Sequence, residues 1–214
     1  MSSLLLNVHL VTRYRLFPII LFCAFTLATA IPTSAQSKAV TLPRNLGELV
    51  GESQMVVQAW VTSVTLEPHG QLKNLMTVVV LLQVEETLKG EPAKTLTLRQ
   101  AVTDRKDQWQ KLGYRTGQHL LLILIKPNPY GLASPAGMEQ GRFRIEPFEA
   151  GKLSATNGLG NAGLFRGLNS QLQVKGIRVA PEVREMISKP GTGPAPLEHL
   201  KSLIRSIAAT DSAK

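Results

Sequence analysis

The sequence predicts a mainly β domain: a small closed antiparallel barrel of five strands, preceded by a short helix and followed by an amphipathic helix. Five segments either alternate apolar and polar residues or are apolar throughout, as strands do. No regular helical crossover separates them, which favours antiparallel pairing over a parallel sheet. An open sandwich is the alternative. Closure would remove the exposed edges of two very apolar strands.

A short helix and two strands begin the predicted domain. Asn45 and Glu48 have the spacing of a capping box in NLGELVGES, which predicts a helix. In MVVQAWVTSVT, residues 55–65, Val57 and Ala59 share one face and Trp60 lies on the other. The second strand is the most regular in the chain. Its apolar face is formed by Val78, Val80, Leu82 and Val84.

Three further strands are predicted in KTLTLRQAV, QHLLLILIKP and GRFRIEP. The second of these is apolar on both faces from Leu120 to Ile125, which is typical of an enclosed strand. The third alternates apolar and charged residues, and a weaker strand is a further option near 132–134. Residues 103–117 are charged and end in glycine, which indicates a long surface loop or a short helix carrying Trp109.

The barrel is predicted to end near residue 148, where the composition changes. Residues 149–195 are rich in glycine and proline, so we expect a surface loop and a spacer, with a short helix beginning at Pro181. Residues 196–210 predict an amphipathic helix. Its apolar stripe is formed by Leu197, Leu200, Ile204 and Ile207. We expect this stripe to pack on the barrel of its own chain rather than on a second chain or a membrane.

The first 35 residues resemble a cleaved secretory signal. Arg13 and Arg15 precede a short apolar stretch, residues 16–30, and small residues follow it. We expect cleavage between Ala35 and Gln36, with a cut after Ala30 as the alternative. The protein is then secreted or periplasmic, without a stable membrane span after processing. An uncleaved N-terminal anchor is the other interpretation, although the apolar stretch is shorter than a usual span.

Cleavage also changes the chemistry available to the mature chain. Cys23 is the only cysteine, so its removal excludes disulfides, thiol catalysis and cysteine metal sites. The signal holds two of the 24 basic residues and none of the 15 acidic ones, which leaves 22 against 15, a net charge of +7. A basic exported protein attracts anionic partners, so we expect an anionic envelope polymer or an exported protein rather than nucleic acid.

The order of several segments resembles a known group of domains. LGELVGESQMVVQAWVTSV, VEETLKG, GQHLLLILIKPNPYG and QGRFRIEP, within residues 46–147, are similar to uncharacterised exported bacterial domains of the OB-like type, related to netrin and tissue-inhibitor-of-metalloproteinase-like barrels. The resemblance implies a five-stranded Greek-key barrel. It does not imply protease inhibition, because the animal inhibitors occupy the protease metal with an N-terminal cysteine that this mature chain lacks.

The residues favour a non-catalytic binding or interaction module of the cell envelope or exterior. No metal, cofactor or catalytic motif is found, and the histidines that remain after cleavage are scattered. The carboxylate pairs at 85–86 and 104–107 lie at solvated positions. The candidate ligand-binding residues on outward faces, chosen for stacking and charged hydrogen bonds, are Trp60, Arg99, Arg142 and Arg144.

The alternative function is an exported hydrolase. It would place His119 or His69 in a concave pocket, within hydrogen-bond reach of a carboxylate and a hydroxyl. Asp104 or Asp107 is the carboxylate that His119 would be expected to meet.

Overall fold

The structure, a computed structural model, describes residues 42–102, 112–189 and 191–211. The predicted signal with its cleavage site lies outside these ranges, as do Asp104, Asp107 and Trp109. Within them the chain forms β1 (Met55–Pro68), β2 (Met76–Lys89), β3 (Thr95–Val102), β4 (His119–Leu124), β5 (Arg142–Pro147), β6 (Leu153–Asn157) and β7 (Ala195–Pro196). The helices are α1 (Leu46–Glu52), α2 (Leu168–Val174), α3 (Pro181–Ser188) and α4 (Leu197–Asp211).

The seven strands form one antiparallel sheet in the order β3-β2-β1-β4-β5-β6-β7. The chain runs from β1 outward to β3, returns to place β4 beside β1, and continues outward to β7. The mainly β prediction is therefore confirmed. All five predicted strands are present, and β1 and β2 are longer than their sequence patterns indicated.

The prediction of a closed five-stranded barrel is wrong, because the described sheet is open and has seven strands. The two missed strands, β6 and β7, lie in the segment expected to be loop and spacer, together with α2. The sheet protects its edges without closing. The backbone N–H of Ala133 donates to the carbonyl of Arg99 on the outer side of β3, at 2.9 Å, and β7 is only two residues long.

Both faces of the central strands are buried in separate apolar clusters. The first core lies between the helices and one face of the sheet, and its members from the sheet are Val56, Leu88, Leu121, Ile123, Phe143, Ile145, Ala155 and Ala195. The second core lies on the other face, and its members are Val57, Ala59, Val61, Val78, Val80, Leu82, Leu98, Tyr114, Leu120, Leu122 and Leu124.

The second core is covered mainly by the sheet itself. Strands β1 to β4 supply all but one of its members, so this part of the sheet must curve over its own face. Three register shifts in the β1–β2 ladder permit the bend, because each extra residue increases the local twist of a strand.

Helices cover the first core, and three of them, α1, α3 and α4, were predicted from the sequence. Helix α1 begins with the predicted capping box: Glu48 N–H donates to Asn45 Oδ1 at 3.0 Å, and Asn45 N–H donates to Glu48 Oε2 at 2.8 Å. The apolar stripe of α4 packs against the sheet of its own chain, with Leu200, Leu203 and Ile204 fully buried. No helix among the described residues is long and apolar enough to cross a membrane.

Charged contacts fix α4 to β2. Glu86 accepts from Lys201 Nζ at 2.7 Å and pairs with Arg205. Burial opposes ionisation of Glu86, but hydrogen bonds from Lys201 and Arg205 outweigh it and lower its pKa below 4.5. Burial also disfavours the charge of Lys201, yet Glu86 and Glu198 raise its pKa above 10.5. Both partners are therefore charged at neutral pH.

We predict that Glu86→Gln reduces the acid sensitivity of the fold. Because the folded-state pKa of Glu86 is lowered, its stabilising effect is present above pH 4.5 and is lost as the pH falls through the folded pKa. At about pH 6 the variant should lose of order 1 kcal/mol of unfolding free energy, and it should approach the unmodified protein as the pH falls. Urea unfolding at a series of pH values measures this.

The matched control is Glu91→Gln, an exposed carboxylate that makes no ion pair with any described residue. This variant should keep the pH dependence of the unmodified protein. If Glu86→Gln keeps it as well, the contacts between Glu86 and α4 do not contribute to acid sensitivity.

Candidate functional site

The four predicted binding residues lie on two opposite faces of the sheet. In the β4–β5 ladder Arg144 pairs with Leu120 and Arg142 with Leu122, so both arginines point to the face that carries the second core. Trp60 and Arg99 lie on the other face. The four residues therefore do not form one surface, and each pair has its own surroundings.

Arg142 and Arg144 line a polar pocket of about 280 Å³, which we call the arginine pocket. It lies where β5 extends past the second core, at the start of β4. The pocket is lined by Gly113, Arg115, Gln118, Leu120, Glu139, Arg142, Arg144, Thr156 and Gly158.

Arg142 forms a fixed wall of the arginine pocket. Its Nη2 donates to both carboxylate oxygens of Glu139, at 2.7 and 2.6 Å, and its Nη1 donates to the carbonyl of Leu112. The guanidinium carbon lies 4.7 Å from the centre of the Tyr114 ring, in cation–π geometry. Only 12% of the Arg142 side chain is exposed. Its hydrogen bonds are therefore largely committed within the protein.

Two glycines leave the space that the Arg142–Glu139 pair occupies. A Cβ atom at Gly113 would lie 2.7 Å from Nη2 of Arg142, and Gly113 has a φ of 74°, which favours glycine. A Cβ atom at Gly158 would lie 2.6 Å from Cβ of Glu139 and 2.4 Å from its Oε2. Larger residues at either position would displace the pair.

Arg115 and Arg144 are the charges that the pocket leaves open. Arg144 is 63% exposed, and Glu146 lies 3.9 Å away, at the limit of an ion pair. Arg115 is exposed and makes no ion pair with any described residue. Its backbone is fixed, since Arg115 N–H donates to Gln118 Oε1 at 2.8 Å. With three guanidinium groups and one carboxylate, the lining carries a net charge of +2.

Tyr114 supports this charge without titrating. Burial raises its pKa to about 12, and the positive charge of Arg142 opposes the increase only in part. The phenol stays neutral at any physiological pH. The ring therefore offers Arg142 a face for stacking and adds no negative charge to the pocket.

Arg99 and Trp60, the other pair of predicted binding residues, make most of their polar contacts within the protein. Arg99 donates to Thr77 Oγ1 at 3.0 Å and to Glu67 at 3.5 Å. Trp60 is 40% exposed. Its ring stacks on His119 with 4.2 Å between the ring centres, and its Nε1 donates to Glu85 at 2.7 Å.

His119 has one of the contacts that the hydrolase hypothesis requires, a carboxylate. The ring Nε2 of His119 lies 2.7 Å from Glu85, which also accepts from Gln58. Burial opposes ionisation of Glu85, but hydrogen bonds from Trp60, His119 and Gln58 lower its pKa below 4.5. No hydroxyl hydrogen-bonds to His119 among the described residues, and the predicted partners Asp104 and Asp107 lie outside them.

The other two histidines have different surroundings. His69 accepts from the backbone N–H groups of Gln71 and Leu72, and its Nε2 faces the carbonyl of Tyr130 at 3.0 Å, so it joins two loops. His199 lines an open pocket of about 620 Å³ together with Glu182 and Glu185.

Neither carboxylate arrangement nor ligand clustering indicates a metal site in the part of the chain that the structure describes. Glu85 and Glu86 point to separate partners, the first to Trp60 and His119 and the second to α4. Across residues 42–102, 112–189 and 191–211, no three His, Asp or Glu side chains are grouped so as to hold a metal ion.

Comparisons with protein-family models, curated proteins and solved structures give no match to this chain. The resemblance to OB-like exported domains therefore stays a prediction.

Sequence reasoning missed Arg115 and Glu139 as members of the site. Arg115 lies in the turn before β4, and Glu139 lies in a single 3-10 turn before β5. Neither local geometry is visible in a periodicity pattern. A usable signal was present in GYRTGQ, where two glycines enclose Tyr114 and Arg115, and in the spacing of Glu139 three residues before Arg142.

We predict that Gly158→Ala destabilises the protein by about 1 to 3 kcal/mol, because the added methyl group would overlap the side chain of Glu139. Chemical unfolding measures the change in free energy. Gly70→Ala is the matched control, since no atom lies within 4 Å of the added Cβ and the backbone φ is ordinary. Equal stability of the two variants would contradict the close packing of Glu139 against Gly158.

Proposed function

We propose that the chain is an exported, non-catalytic binding module of the cell envelope or exterior, and that it recognises an anionic group in the arginine pocket. The observation that carries this proposal is the pair of open guanidinium groups, Arg115 and Arg144, beside a third that is already fixed by Glu139. Arginine donates in a planar fork that matches carboxylate, sulfate and phosphate oxygens.

The size and exposure of the pocket suit a large ligand that inserts only one anionic group into it. A volume of about 280 Å³ holds one anionic group rather than a whole polymer. Arg144 lies at the open side, because 63% of its side chain is exposed. The rest of an anionic polymer or of an acidic exported protein can therefore remain outside while one of its charged groups enters.

The charge of the whole chain supports the same class of partner. Basic residues outnumber acidic ones by 24 to 15, so the protein attracts anions at long range, and the arginine pocket supplies a place where one of them binds. Binding of this kind weakens as salt screens the attraction.

We expect Arg115→Glu/Arg144→Glu to weaken anion binding by at least about tenfold, because two attractive charges become repulsive. Titration calorimetry with dextran sulfate, and separately with inorganic phosphate, measures the loss in buffers of increasing salt. Arg142 is left unchanged, since its removal would leave Glu139 unpaired and would disturb the fold.

A second double variant, Arg178→Glu/Arg184→Glu, controls for overall charge. Both arginines are exposed near α3, outside the arginine pocket, and the variant changes the net charge equally. It should bind within about twofold of the unmodified protein. If both double variants lose the same anion affinity, binding depends on the overall positive charge and not on the arginine pocket.

Export is proposed from the N-terminal sequence. We expect the chain recovered from the envelope or the medium of the exporting cell to begin at Gln36, or at Ile31 if the upstream site is used. Mass spectrometry of the N-terminal peptide measures this. Ala35→Tyr should block the cut before Gln36, because the peptidase requires a small residue there. Recovery of an intact Met1 terminus would favour the anchored alternative.

A further inference from the structure

A second cavity opens at the other end of β4 from the arginine pocket. It has a volume of about 370 Å³ and lies between the start of β1, the turn that joins β2 to β3, and the chain that follows β4. This volume falls within the usual range of small-molecule sites, about 300 to 1,000 Å³. It shares no lining residue with the arginine pocket.

The inner surface of this cavity is apolar. Its floor is formed by Leu98 and Leu124, which are 1% and 4% exposed and belong to the second core. The half-buried side chains around the floor are those of Met55, Leu96, Ile125 and Ala133. The cavity therefore continues the second core toward solvent.

Polar groups are confined to the rim of the cavity. Gln54, Glu91 and Thr97 line it at exposed positions, and Glu91 is the single charged residue of the lining. A charged ligand group in the interior would lose its hydration without gaining a partner. The lining therefore suits a neutral apolar molecule or an apolar part of a larger one, with a polar end at the rim.

Backbone hydrogen bonds fix the walls, so the cavity exists without a conformational change. Gln54 N–H donates to Leu124 O at 2.9 Å, and Ile125 N–H donates to Ser134 O at 3.1 Å. The β2–β3 turn packs closely on β1: a Cβ atom at Gly90, whose φ is 92°, would lie 2.8 Å from Gln54 O. A preformed site spares the ligand the cost of ordering its walls.

We propose that this cavity binds a neutral apolar molecule, either an acyl chain or a compact aromatic ring system, on the floor formed by Leu98 and Leu124. Binding of this apolar molecule is a second function beside anion binding and does not depend on it. The two sites lie at opposite ends of β4 and have separate linings, so either can fail in experiment while the other is retained.

Fluorescence titration with N-phenyl-1-naphthylamine, a neutral apolar probe, tests the proposal. The unmodified chain should bind it with a saturable increase in emission, and Ala133→Phe should weaken binding by at least about tenfold, because the ring would occupy the cavity. Ala209→Phe, at an exposed position of α4, is the control and should bind as the unmodified chain does. Any binding by the apolar N-terminal stretch is common to all three proteins and is thereby subtracted.

Competition with neutral fatty alcohols of increasing length and with naphthalene distinguishes the two ligand sources. Displacement by the fatty alcohols alone assigns an acyl chain, whereas displacement by naphthalene alone assigns a compact ring. Methyl NMR of the unmodified protein adds a readout that does not depend on whether Ala133→Phe folds: the Leu98 and Leu124 signals should shift with the probe. Unshifted signals, or equal binding by Ala133→Phe and Ala209→Phe, would overturn the proposal.

Discussion

The β1–β4 ladder determines the rest of this structure because both of its faces are apolar. Val57 and Leu122 face one side of the sheet, while Val56 and Ile123 face the other, and all four are fully buried. Each face requires its own cover, since burial of apolar surface is the main favourable contribution to folding. Helices cover one face, and the curved strands β1 to β3 cover the other.

Each of the two proposed sites lies where the cover of the second core ends. At Leu120, β5 continues past the curved part of the sheet, and the positions that face this side carry Arg142 and Arg144 instead of apolar residues. At Leu124 the core remains apolar but opens beside the β2–β3 turn. The chemistry of each opening depends on the residues that surround it: Arg115 from the turn before β4 joins the two arginines of β5 at one end, whereas the β2–β3 turn supplies a glycine and a single charge, Glu91, at the other.

The arginine pocket also separates the roles of stability and recognition. Arg142 points toward a core, and its charge is tolerated there because Glu139, the Leu112 carbonyl and the Tyr114 ring all contact it. An arginine held in this way supports the pocket wall and has little capacity left for a ligand. Arg115 and Arg144 have few contacts of their own, and for that reason they are the groups that an anion would meet.

The sequence predicted which residues share a face but not which faces meet. Alternation in β2 and β5 correctly separated Val80 from Leu81 and Phe143 from Arg142, because a strand has a strict period of two. It could not show that β4, apolar on both faces, lies between two cores rather than inside one barrel, since both arrangements require the same residues. The closed barrel was inferred for that reason.

The missed parts have weaker sequence signals. Strand β6, with the sequence LSATN, has one large apolar residue, and it is held by backbone pairing to β5 and by side chains such as Asn161, which donates to the carbonyl of Ala155 at 2.9 Å. The neighbouring glycines indicated a loop, although Leu164 and Leu168 from the same region are buried in the first core. Tertiary contacts of this kind outweigh local preference.

The core between the two openings explains why they should act separately. Leu120 and Leu124 are four residues apart on β4, about 13 Å along the strand, and Leu122 between them is fully buried. A single ligand that joined the sites through the protein would have to displace this packing, which costs more than one side-chain contact returns. An anionic group and an apolar group can therefore be recognised independently, and a molecule carrying both would have to pass over the outside of the sheet.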